Sequence, residues 1–374
     1  MNILAAILAC VLVFIILRDC FETVVLPRRP TRRLRLTRLY YKLSWKLWLL
    51  GARRLKSNRR DYYLSFYGPL SLILLLIIWA GGLILAFGLF QWSLGSVLSA
   101  PEKEITFFTD LYMSGTTFFT LGLGDVVPRE GPGRFLTVLE GGLGIGFLAL
   151  VIGYVPVIYQ AFSRREVQIS LLDARAGSPP SAAELIRRHI QDHNITELIE
   201  YIRTWEHWCA DLLESHLSYS VLSYYRSQHE RQSWVAALTT VLDVCAFVMV
   251  ELDGAQAQAA QFTFAIARHA AVDLAQTFGM EPTSPADNRL STQDFARMRS
   301  YLLDAGIDLH DEANSEARLS ELRAMYEPFV HALADYLLTP LPTWIMSTET
   351  VDDWQTSAWD HLTVSARHPL RKVR

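Results

Sequence analysis

The chain has 374 residues, of which 51% are hydrophobic and 20% are charged, and its mean hydropathy is +0.18. An average this high favours membrane segments over a wholly soluble protein. The formal net charge of −3 is unevenly divided: residues 1–165 carry 19 Lys and Arg against 9 Asp and Glu, whereas residues 166–374 carry 16 against 29. The acidic half would repel phosphates, which argues against nucleic acid as a partner. The 4 cysteines are sparse, which argues against a disulfide scaffold and suits a reduced compartment.

The N-terminal run from Met1 to Leu17 is almost wholly apolar and ends at Arg18-Asp19. No basic residues precede it, as they would in a secretory signal. The run is near the short limit for a membrane span, and the apolar Val24-Val25-Leu26 can extend it. We therefore expect residues 1–26 to form a retained transmembrane helix. An interfacial or re-entrant segment is the alternative.

Two further apolar stretches, Tyr67–Trp92 and Gly133–Phe162, are long enough to cross the hydrocarbon with some tilt. Residues 18–60 hold 14 Lys and Arg against 2 acids, whereas residues 93–132 hold 2 against 5. Because basic connections stay in the cytoplasm, the first is predicted to be cytoplasmic and the second external. The N-terminus is then outside and the C-terminal half is cytoplasmic. The compact design favours a multi-pass protein of a prokaryotic inner membrane.

The basic connection, residues 27–64, contains the pattern of an amphipathic helix. Apolar residues recur at helical spacing: Leu36, Leu39, Tyr40, Leu43, Leu47 and Leu50. Another face carries four cations: Arg35, Arg38, Lys42 and Lys46. Such a helix is expected to lie flat on the inner leaflet, with its cations near anionic lipid headgroups. A voltage sensor is a weaker interpretation, because no bundle of three helices precedes it.

Residues 112–128 read Y-M-S-G-T-T-F-F-T-L-G-L-G-D-V-V-P. Before them, Ile105–Thr117 is predicted to form a short helix with Thr106 as its N-cap. The order is therefore a span, a short re-entrant helix, a glycine-punctuated extended strand and another span. Non-helical backbone at membrane depth is tolerated only where protein buries it or where it lines an aqueous path.

This stretch resembles the potassium-channel pore domain over residues 65–165. The filter pattern T-V-G-Y-G-D of that family appears as six residues, named here the filter segment: Thr120, Leu121, Gly122, Leu123, Gly124 and Asp125. The wording T-L-G-L-G-D-V-V-P is similar to the second pore of some two-pore-domain potassium channels. Gly144 lies eleven residues beyond Gly133, the usual offset of the family's hinge glycine.

The resemblance implies an all-α membrane protein whose pore domain has two spans and a re-entrant pore helix and assembles as a homotetramer. Rings of backbone carbonyls would replace the hydration shell of K⁺, the permeant ion, and no cofactor is expected. Gly122 and Gly124 supply backbone angles that glycine adopts cheaply. In the pore helix, Tyr112, Thr116 and Thr117 would support the filter, with Tyr112 tied to Asp125.

The filter segment departs from the family pattern at Leu123, where Tyr or Phe is usual. An aromatic hydroxyl therefore cannot brace the filter, which must rely on packing. Phe118 and Phe119 stand where small or hydroxyl residues are common before the filter threonine, which would narrow the cavity. We expect selectivity for K⁺ over Na⁺; a nonselective cation channel is the alternative.

Three residues of the last span, the inner helix, are candidates for control of the pore. Gly144 is favoured as a hinge, partly by its family position. Pro156 resembles the proline bend near the gate of voltage-gated potassium channels, although a proline that ends the span is the alternative. Glu140 is an intramembrane acid and so a functional candidate. It would hold a network behind the filter, present charge to the cavity, or make a polar contact between subunits.

The C-terminal half is predicted to be a linker, residues 166–180, followed by an all-α cytoplasmic domain, residues 181–374. A capping box, Ser181-x-x-Glu184, opens the domain. Helices are predicted at 181–192, 195–226, 231–252, 256–278, 291–304, 313–338 and 348–364. The apolar 234–252 stretch contains Asp243 and lacks basic anchors, which favours a core helix over another span.

His189 and His193 lie one helical turn apart, a spacing that can bind a divalent metal. Solvated i,i+4 pairs are the more common explanation. The C-terminal half contains no nucleotide-binding glycine motif after a strand and no nucleophile–base motif. An enzyme is therefore not expected.

The sequence therefore predicts a tetrameric K⁺ channel that is gated by its inner helix and regulated by its cytoplasmic domain. A nonselective or ligand-operated cation channel is the first alternative. A membrane-anchored helical signalling or scaffold protein with a non-conducting pore is the second.

Overall fold

The computed structural model describes residues 2–26, 35–101, 104–190, 195–228, 232–252, 255–283, 288–310 and 314–346. The all-α prediction is confirmed, since these residues are almost entirely helical, with two strands of two residues each. The chain divides into two compact units. The first unit is Met1–Gln160 with Ser218–Tyr225, and the second unit is Ala161–Leu217 with Arg226–Arg374.

The first unit contains the predicted spans and the short helix between them. Its elements in chain order are α1 (Ile3–Cys20), a π-helix (Phe21–Val25), α2 (Leu36–Ala52), α3 (Ser57–Ser65), α4 (Tyr67–Ser93), β1 (Leu98–Ser99), α5 (Phe107–Phe118), β2 (Val127–Pro128) and α6 (Gly131–Ala176). The stretches Ile3–Val25, Arg59–Ser93 and Gly131–Ala176 are each long and apolar enough to cross a membrane.

Helix α1 packs antiparallel against the C-terminal half of α4. At one end the Asn2 N–H donates to the Ser93 carbonyl at 3.1 Å. Near the other end the Trp79 indole donates to Asp19 at 3.0 Å. The outward side of α1 exposes large apolar residues: Ile3, Leu4, Ile7, Leu8, Val11, Phe14 and Ile15. The N-terminal run is therefore a helix that pairs with a span and leaves an apolar face available to lipid.

Asp19 joins the start of α2 to the end of α1 and to the middle of α4. Its carboxylate is buried and accepts the Thr37 backbone N–H at 3.2 Å and the Thr37 hydroxyl at 2.5 Å. The Trp79 indole supplies a further donor. A buried carboxylate needs several donors to offset its lost hydration. These hydrogen bonds therefore hold α1, α2 and α4 in fixed positions relative to one another.

Helix α2 buries a side that the predicted pattern does not include and exposes most of the predicted leucines. Tyr41 and Trp45 are buried, whereas four leucines are exposed: Leu39, Leu43, Leu47 and Leu50. The prediction that Arg35 reaches lipid headgroups needs correction. Arg35 donates to Thr23 at 2.9 Å and pairs with Glu22 at 3.4 Å, so its charge is used within the protein. Three of the four predicted cations are exposed: Arg38, Lys42 and Lys46.

The predicted linker at 166–180 is wrong for most of its length, because α6 continues to Ala176. Residues 166–176 contain no glycine or proline. Ile169, Leu172 and Ala176 recur at helical spacing and are all buried in the second unit. Apolar burial on one face stabilises the helical extension. Only the Gly177–Pro180 turn connects α6 to the next helix.

Seven helices after α6 are described: α7 (Ala182–His189), α8 (Thr196–Ser218), α9 (Trp234–Glu251), α10 (Ala255–Thr277), α11 (Thr292–Asp304), α12 (Ser315–Ala324) and α13 (Glu327–Leu337). The predicted helix 313–338 is two helices, because Pro328 lacks an N–H and starts a new helix instead of continuing one. The predicted helix 348–364 lies outside the described residues.

Helix α9 is the centre of the second unit. It is long and apolar enough to span a membrane, yet 94% of its apolar window is buried by the protein itself. Its Asp243 pairs with Arg289 at 2.5 Å and accepts the Tyr326 hydroxyl at 2.5 Å. The structure therefore favours the core helix over the extra span. Arg289 also pairs with Glu327 at 3.1 Å, which completes a buried charge network.

We predict that Arg289→Ala lowers the free energy of unfolding by about 3–5 kcal/mol, because it leaves Asp243 charged and buried without its partner. The thermal denaturation midpoint of the full chain in detergent measures the effect. Arg297→Ala is the control, since Arg297 pairs with Asp294 at 3.1 Å but its side chain is 65% exposed. We expect about 0–1 kcal/mol for it. Equal shifts in the two variants would contradict the central role of the network.

Candidate functional site

Helix α5 begins at the predicted cap and ends at the filter segment. Thr106 is its N-cap, and the Thr106 N–H donates to the Thr109 hydroxyl at 3.2 Å. On the buried side of α5, Met113 packs with Leu98 and Val126. β1 and β2 pair antiparallel just beyond the filter segment, with Leu98 opposite Pro128. These contacts fix α5 and the outer end of the filter segment.

The backbone φ angle alternates in sign along the filter segment. Its φ angles are positive at Thr120 (56°), Gly122 (57°) and Gly124 (76°). Glycine adopts this region without steric cost, whereas Thr120 does not. The strained Thr120 is held by two hydrogen bonds from the strand to the end of α5: Thr120 N–H to the Thr117 carbonyl at 3.0 Å and Leu121 N–H to the Thr116 carbonyl at 2.8 Å. Thr116 and Thr117 therefore contact the strand through their backbones.

A side-chain hydrogen bond joins α5 to the outer end of the filter segment. The Tyr112 hydroxyl donates to the Asp125 carboxylate at 2.8 Å. This is the contact that the resemblance implies. It ties the strand at the opposite end from Thr120, so the strand is fixed at both ends by α5.

Glu140 is fully buried behind α5 in one protomer. The Ser114 hydroxyl of α5 donates to Glu140 and also lies 2.7 Å from the Ile84 carbonyl of α4. Its second carboxylate oxygen, Oε2, is buried and has no hydrogen-bond partner among the described residues. Of the three interpretations of Glu140, this position fits the network behind the filter. It does not fit charge presented to a cavity or a contact between subunits, since the protomer alone buries it.

Gly144 lies where α6 touches the end of α5. A Cβ at this position would lie 2.0 Å from the Phe118 carbonyl oxygen. This carbonyl precedes the filter segment by two residues. The absence of a side chain at Gly144 is therefore required for close packing of the two helices, a role that differs from the predicted hinge.

Pro156 lies inside α6, which continues for twenty residues beyond it. Pro156 therefore does not end the helix. Because proline has no N–H, the Ile152 carbonyl loses its helical partner, which locally weakens the helix. Tyr154, two residues earlier, packs edge-on against Tyr219 with ring centroids 5.7 Å apart.

Residues 218–225, named here the tether, form a structural element that the sequence pattern does not predict. The predicted helix 195–226 ends at Ser218 and is followed by a 3₁₀ helix, Ser220–Tyr224. Tyr224 packs against Trp45 and Tyr67, with centroids 5.0 and 5.1 Å apart. A Cβ on Gly68 would lie 2.7 Å from the Tyr225 ring. The tether therefore contacts α2, α4 and, through Tyr219, α6.

The predicted metal pair at His189 and His193 gains no support. Both ring nitrogens of His189 are used: Nδ1 lies 2.8 Å from the Leu185 carbonyl and Nε2 lies 2.8 Å from Arg175. His193 lies outside the described residues. Across the described residues, no group of three or more His, Cys, Asp or Glu is placed to hold a metal.

Comparison with known proteins identifies the domain that contains this site. Residues 72–160 match a family model described as "Ion channel". The match supports an ion channel pore. The chain is also 24% identical over 206 residues to the "Uncharacterized membrane protein YdjJ" of Bacillus subtilis (strain 168). That alignment covers 54% of this chain and 58% of YdjJ, so the chain spans little more than half of the relative's length. No solved structure matches the chain significantly.

We predict that Gly144→Ala destabilises the pore domain by about 1–3 kcal/mol, because the added methyl overlaps the Phe118 carbonyl and forces α5 from α6. Gly146→Ala is the matched control in the same helix, since nothing lies within 4 Å of a Cβ there. Thermal denaturation of both variants in detergent provides the measurement. A Gly144→Ala protein as stable as Gly146→Ala would show that the close approach is not required.

We predict that Glu140→Gln alters single-channel conductance or inactivation. The two side chains have the same shape, so the substitution changes charge and proton content next to Ser114 while the packing is kept. Glu200→Gln on the exposed face of α8 is the control. Recordings from reconstituted protein measure the effect. Single-channel currents identical to those of the wild type would remove Glu140 from filter support.

Proposed function

We propose that four copies of the chain form a K⁺-selective channel, with their filter segments arranged around a common axis. The observation that carries the proposal is the alternation of left-handed residues at Thr120, Gly122 and Gly124. Alternating handedness turns successive carbonyls toward one side of a strand. A row of such carbonyls is the ligand set that replaces the hydration shell of K⁺.

The exposure of the filter segment in one protomer supports assembly. Residues 120–125 are all exposed, and exposed non-helical backbone at membrane depth is tolerated only where other protein buries it or where it lines an aqueous path. One chain supplies one strand, and a closed ring needs several related by rotation. The resemblance to potassium channels gives four.

The electrostatics of α5 favour a cation. Its C-terminal end meets the strand at Phe119 and Thr120, so the negative end of its dipole is directed at the start of the filter segment. Four such helix ends around one axis would stabilise a partly dehydrated cation in the cavity. K⁺ is the substrate here, and no cofactor takes part.

The arrangement of α6 supports gating by the inner helix under control of the second unit. α6 runs without interruption from Gly131 beside the filter, past Pro156, to Ala176 in the second unit. We propose an N-terminus outside the membrane and a cytoplasmic second unit, in a prokaryotic inner membrane. Anionic headgroups would contact three exposed cations of α2: Arg38, Lys42 and Lys46.

Leu123 supports one competing function. Because a leucine cannot brace the filter through a hydroxyl, a wider or softer filter would pass Na⁺ as well. The nonselective channel therefore remains the second candidate, and it differs from the first in one measurable quantity, the permeability ratio of the two ions.

Purified protein reconstituted in planar bilayers tests the function. With K⁺ on one side and Na⁺ on the other, we expect a reversal potential far from zero, with Ba²⁺ blocking the current. A reversal potential near zero would favour the nonselective channel. A complete lack of current would favour the non-conducting scaffold.

Gly122→Asp is expected to abolish the current, because a non-glycine residue at positive φ and a fixed charge both disturb the carbonyl row. Gly146→Ala serves again as the control and should conduct. A detergent particle whose protein mass differs from four protomers would contradict the tetramer.

A further inference from the structure

His216, at the end of α8, is buried against an arginine of α6. His216 and Arg165 are 1% and 2% exposed, and His216 Nε2 lies 3.1 Å from Arg165 Nη1. Glu166 pairs with the same guanidinium at 2.8 Å. The ring of Trp234 from α9 covers His216, with centroids 5.3 Å apart. A buried histidine that touches a cation is unusual, because imidazole gains its own charge near neutral pH.

The hydrogen bonds around His216 fit only its neutral form. Arg165 can only donate, so Nε2 must be the acceptor for the Arg165 N–H. The hydrogen of the neutral ring then lies on Nδ1, which is 3.1 Å from the Ser215 hydroxyl. A proton on Nε2 would place two donors and two positive charges against each other.

Burial, followed by the charge of Arg165, lowers the pKa of His216 well below its ordinary value of 6.5. The histidine is therefore neutral in the folded protein, and unfolding or local opening lets it bind a proton. The stabilisation from this contact is present above a pH of about 6.5 and is lost progressively as the pH falls below it.

A second pair repeats the arrangement. His189 of α7 directs Nδ1 to the Leu185 carbonyl and Nε2 to Arg175, and its ring stacks on Tyr201. Burial lowers its pKa first, Arg175 and Arg188 lower it further, and Glu197 opposes them. Arg165 and Arg175 lie ten residues apart on α6, so two neutral histidines hold the cytoplasmic extension of one helix.

Both residues of the Arg165–His216 contact lie close in sequence to parts of the protein near Pro156. Arg165 is nine residues beyond Pro156 in α6. His216 precedes Tyr219 by three residues, and Tyr219 packs against Tyr154 of α6. Along the chain, α6 therefore joins Arg165 to the region of Pro156, and the tether joins His216 to it.

We propose that the Arg165–His216 pair is a proton-sensitive contact through which acidification of the cytoplasm changes the opening of the pore. The His189–Arg175 pair acts in the same sense. Protonation of either histidine repels its arginine and releases residues 161–176 of α6 from the helices that pack against them within the second unit. The proposal rests on the proposed function, in which α6 is the gating helix.

Bilayer recordings with the pH changed on one side at a time test the proposal. Each coupled proton changes an equilibrium by up to about tenfold per pH unit. We therefore expect the open probability to change at least about threefold between pH 7.5 and 5.5, from one side only. His216→Gln is expected to remove most of this response, because glutamine can accept from Arg165 but does not titrate in this range. Equal pH responses in the wild type and His216→Gln would overturn the proposal.

His207→Gln is the matched control, since His207 lies exposed on the same helix, and it should keep the wild-type response. Hydrogen exchange of residues 161–176 in the full-length wild type, with labelling times scaled for intrinsic pH dependence, needs neither a current nor a variant. We expect protection to fall between pH 7.5 and 5.5. Unchanged protection would overturn the proposal even in a conducting protein. Lost protection without any current would instead count against the proposed function alone.

Discussion

The first unit depends on one constraint, a strand of backbone that alternates in handedness between two candidate membrane spans. Three of its five residues from Thr120 to Gly124 have positive φ, and such a strand cannot satisfy its own hydrogen bonds. The surroundings compensate. The last carbonyls of α5 accept its first N–H groups, and Tyr112 bonds Asp125 at its other end. The position of α5 therefore determines the shape of the strand.

The remaining helices of the first unit keep α5 in place. α6 approaches it at Gly144 with no room for a side chain, and Glu140 bonds it through Ser114. On the far side, the tether inserts aromatic rings against α2, α4 and α6. Because interiors are close-packed, a shift of α6 is expected to reach α5 through such contacts. The geometry gives a physical route between Pro156 and the filter segment.

Local patterns predicted the spans, the Thr106 cap and the glycine positions of the filter segment, because each depends on neighbouring residues alone. Contacts between residues that are far apart in the sequence cannot be predicted from such local patterns. Nothing local distinguishes Arg35, which pairs with Glu22, from Arg38, which is exposed. A helix is predicted through the tether because nothing local shows that its tyrosines pack against rings more than sixty residues earlier. Similarly, a linker is predicted at 166–180, whereas Ile169, Leu172 and Ala176 form a narrow buried stripe in a helix.

The central claim is that carbonyls of residues 120–124 from several chains face one axis and bind dehydrated cations. A crystal or cryo-EM structure of the purified assembly in a Tl⁺ salt, an electron-dense substitute for K⁺, tests this claim directly. The account predicts four protomers and a row of Tl⁺ peaks on the axis, each surrounded by carbonyls of Thr120, Leu121, Gly122 or Leu123. An assembly whose carbonyls face away from the axis, with no cation density between the strands, would contradict it.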